Sequence, residues 1–124
     1  MLLQANRIRE ISGVASLKKL EEFYIADNGL TSLQGLESNN LQTIEIANNR
    51  ISDFSGLEHM SNLEEFWANN NSVEDFRQVE KLCPNTALLT VYLEHNPIQK
   101  DPQYRRKIKL TLPSLTQIDS TMCK

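Results

Sequence analysis

Apolar residues recur along this chain on one template. In the stretch LQTIEIANNRI, from Leu41 to Ile51, they stand at places 1, 4, 6 and 11 (Leu41, Ile44, Ile46, Ile51), and place 9 is Asn49. The same spacing reads Leu20, Phe23, Ile25, Asn28 and Leu30, then Leu63, Phe66, Ala68, Asn71 and Val73, then Leu88, Val91, Leu93, Asn96 and Ile98. A copy without its first places opens the chain at Met1, Leu3, Asn6 and Ile8. The asparagines stand 22, 21, 22 and 25 residues apart. Five copies with the asparagine in place define an internal repeat.

A period of this length, with this template, is that of a leucine-rich repeat, whose units run to roughly 20–29 residues. Places 3 to 7 predict a short strand, with places 4 and 6 pointing into the core and 3, 5 and 7 pointing out. No repeat can bury its apolar row alone, so stacking builds one continuous core and pairs the strands at about 4.8 Å per repeat. The asparagine side chain turns inward, where its amide can bond backbone groups of its own and the adjacent turn. The expected fold is α/β: a leucine-rich-repeat solenoid with a parallel concave sheet, a 3₁₀ or short-helical convex side and a helical C-terminal cap.

After each asparagine the apolar residues continue at every third position: Ile8, Ile11, Val14, Leu17, then Leu30, Leu33, Leu36, then Ile51, Phe54, Leu57, Met60. Period 3 suits a tight 3₁₀-like or extended convex side. Gly13, Gly35 and Gly56 recur at one place of the repeat, which predicts a tight backbone position. The fourth repeat departs from the rule. Between Ser72 and Cys83, the residues Val73, Phe76, Val79 and Leu82 share one face, so a short helix is expected, capped by Ser72 and stopped by Pro84. Its surplus residues fall in a loop around Cys83–Ala87.

Residues 1–98 thus read as repeats, the first of them truncated, and 99–124 as a cap. Asp101-Pro102 predicts a helix start, Tyr104, Ile108 and Leu112 an i, i+4 row, and Pro113 the end. Leu115 and Ile118 then repeat places 1 and 4. Met1 lands at place 4 with no polar cap before it, so the chain reads as the C-terminal part of a longer solenoid or a truncated gene product. With its N-terminal strand edge bare, such a chain is expected to self-associate or to be marginally stable.

Composition changes this picture little: 40% hydrophobic and 23% charged residues are ordinary for a soluble domain. No apolar run approaches the roughly 18 residues of a membrane span, and there is no signal peptide. Cys83 and Cys123 show neither metal-ligand nor paired spacing, so reduced thiols in an intracellular protein are expected. The net charge of −3 hides an asymmetry. Residues 1–99 hold seven Lys/Arg against fourteen Asp/Glu, whereas 100–124 hold six against two. An acidic body argues against nucleic acid on the concave face. The basic cluster Arg105, Arg106, Lys107 and Lys109 rides on the cap helix, either as a solvated face or as an electrostatic contact or import signal.

The outward strand places carry the candidate chemistry. Place 5 holds Leu2, Tyr24, Glu45, Trp67 and Tyr92, and place 3 holds Glu22, Thr43, Glu65 and Thr90. Place 7 gives Gln4, Ala26, Ala47, Asn69 and Glu94, and place 8 gives Ala5, Asp27, Asn48, Asn70 and His95. The single Trp and two of the three Tyr fall on one line with carboxylates beside them. The line could serve lateral packing alone, but it is also the composition of a protein-binding hot spot. His95 lacks the partners a catalytic or metal-binding role would need. No phosphate loop, ligand cluster or nucleophile motif is present, so neither enzyme activity nor a cofactor is expected.

Two stretches carry a more specific resemblance: LEEFWANNN from Leu63, and VYLEHNPIQKDPQYRRKIKLTLPSLTQID from Val91 to Asp119. With these the chain resembles the 22-residue-repeat class of the nuclear regulatory subunit of protein phosphatase type 1, over about the last third of such a protein. The second stretch is similar to that family's C-terminal leucine-rich-repeat cap. The resemblance implies a non-catalytic regulatory scaffold that binds the catalytic subunit of type 1 serine/threonine phosphatase, in nucleus and cytoplasm. It implies no membrane or nucleic acid partner and no obligate homo-oligomer of the full-length form. Carried over by position, the partner-binding residues would be Tyr24, Glu45, Trp67 and Tyr92, with Glu65 beside the Trp. The cap is shared with the U2 spliceosomal A-prime protein, so the alternative is a ribonucleoprotein scaffold of that kind or a cytoskeletal adaptor.

Overall fold

The structure is a computed structural model that describes residues 20–36 and 40–123. The first repeat expected from the sequence, with Leu2, Asn6 and Gly13, lies outside the described residues. The element order is β1 (Glu22–Tyr24), β2 (Thr43–Glu45), β3 (Glu65–Trp67), α1 (Arg77–Glu80), β4 (Thr90–Tyr92), a 3₁₀ turn (Pro97–Lys100), α2 (Tyr104–Thr111), β5 (Gln117–Ile118) and β6 (Thr121–Met122). One sheet takes these strands in sequence order. β1 to β5 run parallel and β6 returns antiparallel as a hairpin. The register aligns place with place: Phe23, Ile44, Phe66, Val91 and Ile118 are successive neighbours.

That alignment makes the core a row of layers. Places 1, 4, 6 and 11 of the described repeats are buried from Phe23 to Ile98, with Leu20 only partly covered. The convex residues Leu33, Leu36, Phe54, Leu57 and Met60 complete each layer. Phe54 meets Phe66 edge to face, ring centroids 4.9 Å apart at 83°, a geometry that adds to the area both rings bury.

At place 9, Asn49, Asn71 and Asn96 each join their layer to the one before. Asn49 Oδ1 accepts Leu30 N–H at 3.0 Å, and its Nδ2 donates to Ile25 O at 3.1 Å and Ile46 O at 2.9 Å. Asn71 treats Ile51 N–H and Ile46 O the same way, as does Asn96 with Val73 N–H and Ala68 O. Among the described residues the ladder expected from the sequence is present, with Asn49, Asn71 and Asn96 buried and Asn28 half-buried.

Among the described residues between β1 and β2, and between β2 and β3, the convex side is extended chain interrupted by tight turns, within the expected 3₁₀-like or extended form. Gly35 and Gly56 sit at φ of 116° and 103°, a conformation that interrupts any helical run and suits glycine. α1 differs from expectation: it spans only Arg77–Glu80 and is not capped by Ser72. Ser72 N–H is spent on Ile51 O at 2.8 Å, and Val73 N–H on Asn96 Oδ1 at 3.0 Å. With its backbone committed to the ladder, the chain cannot turn helical until Asp75, whose Oδ1 accepts Arg77 N–H at 2.9 Å. Turns continue from Lys81 through Pro84, with Asn85 N–H bonding Leu82 O at 2.9 Å. The surplus loop that follows is pinned by the buried Asn85, which donates to Leu57 O and Met60 O.

α2 starts two residues later than Pro102. Asp101 still organises its start, accepting Gln103 N–H on Oδ1 and Tyr104 N–H on its carbonyl. Tyr104, Ile108 and Leu112 face the core, as the i, i+4 row requires. Three members of the basic cluster bond the cap itself. Arg105 donates to Ile118 O at 2.9 Å, Lys109 to Pro113 O and Leu115 O, and Lys107 pairs with Asp101. Lys109 thus ties the last turn of α2 to the chain that leaves it.

Candidate docking face

The register of the parallel strands decides what the concave face looks like. At place 5, Tyr24 on β1 stands opposite Glu45 on β2, Glu45 opposite Trp67 on β3, and Trp67 opposite Tyr92 on β4. At place 3 the row is Glu22, Thr43, Glu65, Thr90 and Gln117. The five residues proposed from the sequence therefore occupy one sheet face, four of them in a single row. None is fully buried, whereas each inward neighbour, such as Phe66 beside Trp67, is inaccessible.

The row is not uniform. Trp67 and Tyr92 stack face to face, ring centroids 4.0 Å apart and 5° from parallel. Gln117 fixes the far end of this pair by donating from Nε2 to the Tyr92 hydroxyl oxygen at 3.0 Å. Tyr24 lies on the other side of Glu45, and its hydroxyl donates to Glu22 Oε1 at 3.2 Å. The face is thus an aromatic platform at β3–β4 and an acidic, tyrosine-bearing section at β1–β2.

Crowded acids leave an electrostatic mark. Burial pushes the Glu45 carboxyl above the usual carboxylate range, and the neighbouring Asp27 charge pushes it further. The Tyr24 phenol is raised by burial, then by its bond to Glu22 and by the charges of Glu22, Glu65 and Glu45. Burial is the larger cause in both groups, and the smaller contributions from Asp27, Glu22, Glu65 and Glu45 mark the face as acidic.

Place 7 corrects the expected alternation. Ala26 and Ala47 are only 3% and 5% exposed, and Thr43 at place 3 is buried too. Small side chains between larger neighbours, on strands about 4.8 Å apart, form the floor of the face and not its surface. Asp27 and Asn69, which the template puts at outward places 8 and 7, also belong to the face, as does Gln117, whose place in the final half-repeat no earlier residue marked. His95 lies away from the aromatic platform. Its backbone N–H is held by Gln99 Oε1 at 2.6 Å, and it borders a shallow depression of ≈ 580 Å³ with Asn96, Pro97, Gln99 and Lys100. Among the described residues no group of three or more His, Cys, Asp or Glu is placed to hold a metal ion, and no helix is long and apolar enough to cross a membrane.

The family model described as leucine-rich repeat matches residues 2–124. The chain belongs to the leucine-rich-repeat family. Over shorter stretches this leucine-rich-repeat chain is similar to protein phosphatase 1 regulatory subunit 7. It is 56% identical to the Xenopus tropicalis protein over 52 residues, which are 42% of this chain and 15% of that protein. The Homo sapiens protein is 52% identical over 52 residues, 42% of this chain and 14% of that protein. The match thus spans about one seventh of the length of these relatives. Among solved structures, the crystal structure of the Drosophila melanogaster SNF/U2A' complex contains a similar fold. Its TM-score is 0.81 at 28% identity, covering 98% of this chain and 72% of that one.

Proposed function

We propose that this chain is a non-catalytic docking module for the catalytic subunit of type 1 serine/threonine protein phosphatase. The concave residues Tyr24, Glu45, Glu65, Trp67 and Tyr92 form the contact. The observation that carries the reading is the in-register Trp67–Tyr92 stack beside Glu45 and Glu65. Rigid aromatic area flanked by carboxylates suits a protein surface with basic residues. The names of the relatives supply the identity of the partner. The chain itself contributes shape and charge, and the reaction remains that of the phosphatase.

A second reading has its own support in the fold likeness to the SNF/U2A' complex. On that reading the same face would hold a protein such as SNF. Direct titration separates the two. The phosphatase catalytic subunit should bind this chain, and Trp67→Ala should weaken that binding by at least about thirtyfold, as loss of an interface anchor does. Binding of SNF with none of the phosphatase would favour the second reading and contradict the first.

A further inference from the structure

The place-7 row forms a trough between the place-5 ridge and a raised rim. On the rim, Asp27, Asn48, Asn70 and His95 all turn at φ near +60° (60°, 58°, 57° and 62°) and are exposed. The trough runs over Ala26 and Ala47 to Asn69 and Glu94. Asn69 is the odd member. Its backbone carbonyl accepts Asn48 N–H at 3.1 Å and Asn71 Nδ2 at 3.2 Å. Its side-chain Oδ1, by contrast, is shut off from water and has no hydrogen-bond partner.

A covered, unpaired acceptor is a cost that folding leaves uncompensated, and such groups are rare enough in native proteins to need a reason. The other exception among the described residues, Asn85 Oδ1, belongs to a carboxamide whose Nδ2 already pins a loop. Asn69 has no such use in holding the fold together. It sits two residues from Trp67 on the docking face. The carboxylates that share the face, Glu45, Glu65 and Glu94, accept hydrogen bonds and, when ionised, donate none.

We infer that Asn69 is a specificity-determining acceptor of this face, and that the docking protein meets it with an arginine side chain. The inference rests on the docking role argued above. An arginine fits better than a lysine for two reasons. Its planar guanidinium carries five donors, enough for a carboxamide oxygen and a carboxylate together. The same plane can lie on the indole of Trp67, whose other face is stacked on Tyr92. Asn69 is only half-buried, so rotation of its side chain brings Oδ1 to the surface when a donor arrives. A partner without that donor leaves the oxygen unpaired and binds less well. This is how an unsatisfied acceptor discriminates between partners.

The test is Asn69→Leu, which keeps the size and removes the acceptor, compared with Asn69→Asp and Trp67→Ala. Each is measured for melting temperature and for affinity to the type 1 phosphatase catalytic subunit. Asn69→Leu should melt no lower than the parent and bind about tenfold more weakly or worse, the loss expected when one such bond is removed. Asn69→Asp should bind at least as tightly as the parent at low salt, with steeper salt dependence. If Trp67→Ala weakens binding and Asn69→Leu does not, the role of Asn69 is overturned while the docking reading stands. If neither weakens binding, both fall. A lower melting temperature for Asn69→Leu would also overturn the inference, because the carboxamide would then be serving the fold.

Discussion

At the scale of single residues, the asparagine at place 9 shows how one side chain holds two repeats. Asn49 connects four backbone groups of its own turn and the preceding one to a single carboxamide, away from water. Asn49→Ala should therefore cost about 1–3 kcal/mol, seen as a lower urea midpoint with unchanged slope. This role was legible in the sequence because it repeats at a fixed place. Asn85, which pins the loop of the fourth repeat, was not legible, because the loop occurs once and no period marks it. A second single-residue prediction concerns acid. Asp53 is held at a pKa of about 2 by the Lys81 ammonium at 2.8 Å, then by the Ser55 hydroxyl and N–H. Its folded pKa is depressed, so its contribution is complete above about pH 4, the ordinary aspartate range, and is lost as pH falls toward about 2. The carboxylate is 56% exposed, so the effect is small. Lys81→Gln should flatten this acid limb of the stability curve and change stability at pH 7 by less than about 1 kcal/mol.

At the scale of elements, the cap shows what patterning reads and what it misses. The helix, its apolar row and the half-repeat at Leu115 and Ile118 follow from periodicity and from Pro113. The residue that locks them does not. Asp119 fell on a polar place of the template, yet it is buried at φ 55°. Its Oδ1 accepts Leu93 N–H and Glu94 N–H, and its Oδ2 accepts the Tyr104 hydroxyl at 2.8 Å. The Asp119 carboxylate thus takes the N–H of Leu93 where, in the earlier repeats, Ile25, Ile46 and Ala68 donate to a carbonyl of the next strand, and burial together with this charge raises the Tyr104 phenol above its usual pKa. Tyr104→Phe removes one charge-assisted bond and should cost about 1.5–3 kcal/mol; Asp119→Ala strands three donors and should cost more. Thermal melts of the two variants check the order, and a smaller loss for Asp119→Ala would contradict it. The over-long α1 expectation has the converse cause. Local propensity favoured a helix from Ser72, and the inter-repeat bonds of Ser72 and Val73 outweighed it.

At the scale of the whole molecule, a stack of short strands separates stability from recognition by direction alone. Inward places build a continuous apolar row, and outward places are free to carry aromatic and acidic groups without disturbing it. This is why fold and face were both readable from one template, while the trough, the stack and the Gln117 brace needed coordinates. Phe66 and Trp67 are consecutive in sequence and opposite in role, so together they test the account most directly. Phe66→Ala empties a fully buried site against Phe54 and should cost about 3–5 kcal/mol of stability. Trp67→Ala loses a stacking contact with Tyr92 and should cost only about 0.5–1.5 kcal/mol. Its affinity for the type 1 phosphatase catalytic subunit should nevertheless fall by about 2 kcal/mol or more. The decisive measurement is melting temperature and affinity on this pair of variants. A folded Trp67→Ala that binds poorly, beside a strongly destabilised Phe66→Ala, is the predicted result. A folded Trp67→Ala that binds as tightly as the parent would contradict the docking face proposed here.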